Sequence, residues 1–174
     1  KKLSKKTKLI VLNSPNNPTG AIFPKEDLLT VVRIARESNL LILSDDIYDN
    51  FVFDALSCPC IGQFYENTLT LGGFSKGWGM TGWRLGYAAG PNEILQQMIT
   101  LQQYTFSSAT SFGQKAATKA LDFNVDHYIE GYKKKRDLIY DGLKEKFNVQ
   151  KPQGAFYIFP EVPGGDSEAF VEKA

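Results

Sequence analysis

Two four-residue apolar runs, LIVL at 9–12 and LLIL at 40–43, contain no polar interruption. A strand with one wet face alternates apolar and polar residues, so unbroken runs predict strands covered on both faces of a largely parallel sheet. Parallel neighbours need a crossover of a dozen residues or more. The intervening PKEDLLTVVRIARESN supplies one, with Leu28, Leu29, Val32, Ala35 and Arg36 at helical spacing. Pro24 suits the first helical position, Glu26 and Asp27 place negative charge in the first turn, and Asn39 marks the stop. This βαβ unit predicts an α/β fold with a mainly parallel sheet flanked by helices.

Two further strand-like runs follow, TLTL at 68–71 and RLGYAA at 84–89, and then three helix-like segments at 92–103, 109–122 and 126–147. The last places Ile129, Tyr132, Arg136, Ile139 and Leu143 along one stripe. At 1.5 Å per residue it would span about 33 Å, enough to link two lobes. Beyond it, NVQKPQGAFYIFPEVP reads as strand, turn, strand. The expected organisation is therefore a part of a large domain over 1–124, a linking helix over 125–147, and the start of a small α+β domain over 148–174. The chain begins almost directly on a strand and ends on the opening of a helix, SEAFVEKA, which reads as the central portion of a longer protein.

Composition removes several alternatives. The 20 Lys+Arg residues nearly balance 19 Asp+Glu, a net charge of +1 that gives no basic surface for nucleic acid. No apolar run approaches the roughly 18 residues of a membrane span, and the opening KKLSKKTKLIVL reads as a solvated lead-in to a strand. Cys58 and Cys60 flank Pro59, and His127 is the sole histidine. That is too little for a four-ligand zinc site or a histidine-based triad. Two free thiols fit a reduced compartment and a cytoplasmic setting.

In an open parallel sheet, ligands bind beyond the carboxyl ends of the strands. Three polar segments follow directly on predicted strands: NSPNNPTG, SDDIYDN and GGFSKGWG. If the strands are parallel these turns share one rim, and Asn17, Asp45 or Asp46, Tyr48, Lys76 and Arg84 converge on one pocket. The lysine falls too early in its glycine-rich turn for a nucleotide phosphate loop, which also needs a Ser or Thr after it. A lysine can form a Schiff base with a carbonyl cofactor, an acid can hold a pyridinium nitrogen protonated, and an arginine can grip a phosphate. Pyridoxal 5′-phosphate uses all three.

These residues resemble the class I and II aminotransferases of the fold-type I pyridoxal phosphate enzymes. The likeness is carried by NNPTG (Asn16 to Gly20), the D-x-x-Y of Asp45 to Tyr48, SKGWGMTGWRLGY (Ser75 to Tyr87) and PQGAFYIFP (Pro152 to Pro160), in the family's order across nearly the whole chain. The resemblance implies an exchange of an amino group between an L-amino acid and a 2-oxo acid by a ping-pong route, with aspartate and aromatic amino acids as the substrate candidates. By the same resemblance, Lys76 would join the cofactor covalently and then move a proton between substrate and cofactor. Asp45 would pair with the pyridine N–H, leaving Asp46 an exposed neighbour. Asn17 and Tyr48 would hold the ring's 3′ oxygen, Arg84 the phosphate, and Ser75 either the phosphate or merely its own turn. Trp78 and Trp83 read as packing residues.

The family pattern is not complete here. Many members carry Ser or Thr three residues before the lysine, where this sequence has Gly73. The ring-stacking aromatic and the substrate-carboxylate arginine would lie upstream of residue 1 and downstream of residue 174. Members are typically homodimers with shared active sites, so QYTFSSATSFGQ would face a partner subunit. A carbon-sulfur β-lyase on the same scaffold and a non-catalytic effector-binding domain are the rival readings.

Overall fold

A computed structural model describes residues 3–54 and 56–173; Lys1, Lys2, Ala55 and Ala174 lie outside the described residues. Four strands form one sheet in the order β1 (Leu9–Asn13), β2 (Leu41–Asp45), β3 (Thr68–Gly73) and β4 (Gly86–Ala89). The first three are parallel and β4 runs antiparallel to β3. Helices α1 (Lys25–Glu37), α2 (Asn92–Thr105), α3 (Ser111–Ala120), α4 (Asp126–Leu143) and α5 (Ser167–Lys173) complete the order. The α/β expectation holds, with α1 as the crossover between β1 and β2.

One face of the sheet is closed by α1. Leu28, Val32 and Ala35 lie on a single stripe of the helix and are buried against Leu40, Ile42, Ile61 and Tyr65, with Ile10 and Leu12 of β1 beneath. Leu29 and Arg36, expected on the same stripe, sit at its margins and are exposed. Arg36 instead lies over the Tyr65 ring and pairs with Glu66 at 3.3 Å. Pro24 occupies the cap, in extended backbone at φ −68°, and the helix starts one residue later than expected, at Lys25. Asn39 is the stop that the sequence suggests: at φ 49° it takes the left-handed conformation that closes a helix.

The expectation of strands buried on both faces is corrected. Leu9 and Val11 of β1 are 41% and 62% exposed, because among the described residues α1 covers the opposite face, where Ile10 and Leu12 point. Strand alternation then puts Asn13 on the open face with Leu9 and Val11.

Two further boundaries move. Helix α4 has 18 residues and ends at Leu143 rather than at 147, giving a length of about 27 Å. Beyond it the Leu143 carbonyl accepts from both Lys146 and Phe147, a tightened last turn that follows Gly142. The segment after it is not strand, turn, strand. Among the described residues its one ladder contact is the antiparallel bridge between Val52 and Gly154, and its backbone pairs with isolated positions of two loops. Within GAFYIF, Ala155 and Tyr157 pack with Tyr48, Phe51 and Phe53, whereas Phe159 is exposed.

Candidate active site at the carboxyl rim

The strand register sets one row across the sheet: Asn13 pairs with Asp45, and Asp45 with Leu71. β1 and β2 therefore end level, β3 runs two residues further, and the segments after all three leave from a common rim. Asn13 shapes the first. Its amide donates to the Asp45 carbonyl at 3.0 Å, and its Oδ1 accepts the Asn17 N–H at 2.7 Å. Asn16 Oδ1 in turn accepts the Thr19 hydroxyl at 2.8 Å.

The NNPTG turn is locked to the PQGAF segment through two glycines. Gly20, at φ +69°, offers its carbonyl to the N–H groups of Gln153 and Gly154, both at 2.9 Å. A Cβ at Gly20 would stand 2.5 Å from Pro152 Cβ, and one at Gly154 would stand 2.4 Å from the Phe51 carbonyl oxygen. Backbone meets backbone here, and only glycine permits it.

Asp45 and Asp46 part company by strand alternation. Asp46 turns to the α1 side, where the Ser44 hydroxyl donates to it at 2.5 Å. Asp45 faces the open side, caps the Ile47 N–H at 3.3 Å, and lies close enough for its charge to act on the Tyr48 phenol.

Tyr48 is buried, and its hydroxyl lies 2.6 Å from that of Tyr157. Burial raises its pKa well above the ordinary tyrosine value, the Tyr157 phenol adds to the rise, and the nearby Asn17 side chain opposes it. Asn17, Tyr48 and Asp45 are thus brought together, as the sequence suggests.

Lys76 completes the cluster. Its Nζ sits 5.8 Å from the Tyr48 ring centroid and 5.6 Å from that of Phe156, with no carboxylate in salt-bridge range among the described residues. It also lines a cavity of about 280 Å³ with Phe51, Trp78, Val125, Ile129 and Tyr132. Gly77 beside it is pressed against Asn50, where a Cβ would come within 2.9 Å of the amide nitrogen. A larger cavity of about 720 Å³ lies between the β3–β4 pair and helices α2 and α3. None of the predicted site residues lines it, so the chemistry is assigned to the rim and not to the larger space.

Ser75 and Arg84 lie just past the end of the β3–β4 ladder, whose pairing of Gly73 with Gly86 is followed by a hydrogen bond from the Phe74 N–H to the Leu85 carbonyl. Arg84 is exposed at φ 54°, and its guanidinium donates to the Thr81 carbonyl at 2.9 Å. The glycine at 73 has a physical reason: a Cβ there would stand 3.0 Å from Ile47 Cδ1 and 3.1 Å from the Leu85 carbonyl. A serine or threonine would not fit without movement of one of them. Trp78 packs on Phe74 at 5.2 Å as expected, whereas Trp83 is 46% exposed and leans on Phe112 at 6.3 Å.

The residues present fit pyridoxal phosphate at its ring end. A primary amine, a carboxylate, and a phenol beside an amide surround one rim, which matches the aldehyde, ring nitrogen and ring oxygen of that cofactor. Asn13 is a site-shaping residue without a role in the sequence reading, its signal being a polar residue that ends an apolar run; Tyr157 belongs to GAFY, which the sequence offers either as substrate-side lining or as strand core.

The family model for aminotransferase class I and II matches residues 1–173. A probable aspartate aminotransferase of Methanocaldococcus jannaschii is 44% identical over 92% of this chain and 45% of its own length. An aromatic-amino-acid aminotransferase of Thermococcus litoralis is 39% identical over 99% of this chain and 47% of its own. Among solved structures, an aspartate aminotransferase of Thermotoga maritima superposes with a TM-score of 0.92 at 33% identity, covering 98% of this chain and 46% of that one. The chain thus spans about half the length of the relatives it matches.

Proposed function

Since the chain belongs to the class I and II aminotransferase family, we propose that the protein transfers an amino group between an L-amino acid and a 2-oxo acid with pyridoxal 5′-phosphate as its cofactor. The observation that carries this reading is the Lys76 amine over the Tyr48 ring, on the rim where Asp45 and Asn17 approach the same tyrosine. The names of the relatives point to aspartate or an aromatic amino acid as the donor.

When bound, pyridoxal phosphate supplies an aldehyde for an amine and a ring that accepts electron density from a carbon losing its proton. Every other task falls to the chain. Lys76 binds the cofactor and then, as a free amine, takes the proton from the substrate Cα and returns it on the far side of the transfer. The Asp45 carboxylate accepts the ring N–H and keeps the ring cationic. Tyr48 and Asn17 would hold the ring oxygen and so set the cofactor's orientation relative to Lys76. Ser75 and Arg84, just past the end of the β3–β4 ladder, would take the phosphate, where arginine's planar fork suits bidentate contact. The aromatic rings of Tyr48 and Phe156 flank the amine.

Residues 1–124 belong to the cofactor-binding lobe, 125–147 to the link, and 148–174 to a small lobe. The protein works as a homodimer in the cytoplasm, and the QYTFSSATSFGQ segment faces the second subunit. Among the described residues no helix is long and apolar enough to cross a membrane.

The test is product analysis of the protein given pyridoxal phosphate, aspartate or an aromatic amino acid, and 2-oxoglutarate. Equal amounts of a new 2-oxo acid and glutamate are expected. Pyruvate and ammonia released from a sulfur amino acid without any 2-oxo acid would overturn it in favour of a lyase.

A further inference from the structure

Tyr157 has no assigned task, yet its hydroxyl makes the closest polar contact of Tyr48, at 2.6 Å. The two rings stand edge to face at 5.6 Å, and Phe156 closes on the same Tyr48 ring at 5.3 Å, so both phenols are held by packing. Either oxygen can be the donor in that contact. A hydroxyl has one proton and two lone pairs. If Tyr48 gives its proton to Tyr157, nothing remains for an acceptor on the open side. If Tyr157 donates, the Tyr48 proton is free to turn outward, while the Asn17 amide stands beside the same oxygen. The direction of one hydrogen bond therefore decides whether Tyr48 is a donor or a spectator.

Resting on the cofactor reading above, we propose that Tyr157 is a positioning residue: by donating its phenol proton to Tyr48, it directs the Tyr48 proton to the ring oxygen of bound pyridoxal phosphate. Tyr157 need not touch the cofactor itself. Its anchorage is local, since Gly154 and Ala155 just before it are fixed to Gly20 and Phe51 by backbone hydrogen bonds of 2.9 Å. The NNPTG and GAFY motifs thereby become parts of one device, the first presenting Asn17 and the second Tyr157 to the same hydroxyl.

The test is a double-mutant cycle in the whole protein with Tyr157→Phe, Tyr48→Phe and both, each variant keeping its ring. Pyridoxal phosphate dissociation constants are read from quenching of intrinsic fluorescence, and the protonation of the bound cofactor from its visible band as pH is varied. Tyr157→Phe should weaken cofactor binding about 3- to 10-fold, the scale of one hydrogen bond, and the double variant should bind no more weakly than Tyr48→Phe. Loss of a proton directed to the ring oxygen should make that visible band titrate at higher pH in Tyr157→Phe, as in Tyr48→Phe. An unchanged dissociation constant in Tyr157→Phe, or losses that add in the double variant, would overturn the role of Tyr157 alone. Wild-type protein that binds no pyridoxal phosphate would overturn the cofactor reading itself.

Discussion

Nη2 of Arg136 in α4 donates to both carboxylate oxygens of Asp54, at 3.0 and 2.8 Å, across 82 residues of sequence. Its Nη1 donates to the Pro152 carbonyl at 2.6 Å, and its plane lies over the Phe53 ring at 4.8 Å. The Arg136 Nε is 2.9 Å from Asp137 Oδ1, an ion-pair contact bent out of hydrogen-bond geometry. One buried guanidinium thus joins α4 to the loop after Tyr48 and to the segment that presents Tyr157.

Removing it should loosen all three. Arg136→Ala strips a donor from a buried carbonyl and leaves Asp54, half-exposed, with Lys133 at 3.5 Å as its remaining partner, so the loss should fall at the low end for a broken buried pair, about 3 kcal/mol. Urea unfolding should show a lower midpoint with an unchanged slope. A midpoint equal to wild type would mean that the clasp is not a stabilising contact.

Asp137 gives a pH dependence. The Lys151 ammonium, 3.0 Å away, is the main cause that holds its carboxyl down to about 2, with Lys133 and Arg136 adding to it. A folded pKa below the unfolded value means that the contribution is present above about pH 4 and fades as pH falls toward 2. Wild type should therefore be the more stable at pH 6, and its advantage over Asp137→Asn should shrink between pH 4 and 2. A constant difference across that range would contradict the assignment.

Two glycines should respond in opposite directions to the same change. Gly20→Ala forces a left-handed φ of +69° and a Cβ 2.5 Å from Pro152 Cβ, both on rigid backbone. A loss of about 1–3 kcal/mol is expected, with weaker attachment of the 152–155 segment. Gly131 lies inside α4, where an added Cβ would meet nothing within 4 Å. Gly131→Ala should stabilise by about 0.5–1 kcal/mol, the helix-propensity difference. Thermal unfolding of the two variants checks the contrast.

The two adjacent aspartates can be separated by cofactor titration. Asp45→Asn should weaken pyridoxal phosphate binding at least tenfold, as expected when a charge-assisted hydrogen bond is lost. Asp46→Asn should bind like wild type, since that side chain is turned to Ser44 on the other face. The reverse result would move the ring partner to Asp46.

Much of this was legible in the chain. The βαβ unit, the strand ends and the convergence of Asn17, Asp45, Tyr48 and Lys76 follow from runs of apolar residues and the polar turns after them. Burial on both sides of β1 was misread because an apolar run reports the surface a strand can bury, and nothing in it says which chain segment does so. The segment after α4 differs for a related reason: the apolar, aromatic-rich run GAFYIF matches a strand composition, but its backbone partners are Gly20 and Phe51, far away in sequence. The Tyr48–Tyr157 contact, 109 residues apart, leaves no local trace at all. Gly73 looked like a missing ligand and is explained by space, between Ile47 and the Leu85 carbonyl.

The central claim is that Lys76 carries the cofactor. The most direct measurement is an absorption titration of the whole protein with pyridoxal phosphate, repeated in Lys76→Ala. The account predicts a visible band of lysine-bound cofactor in the wild type that disappears in the variant. A band of equal strength and position in Lys76→Ala would contradict it.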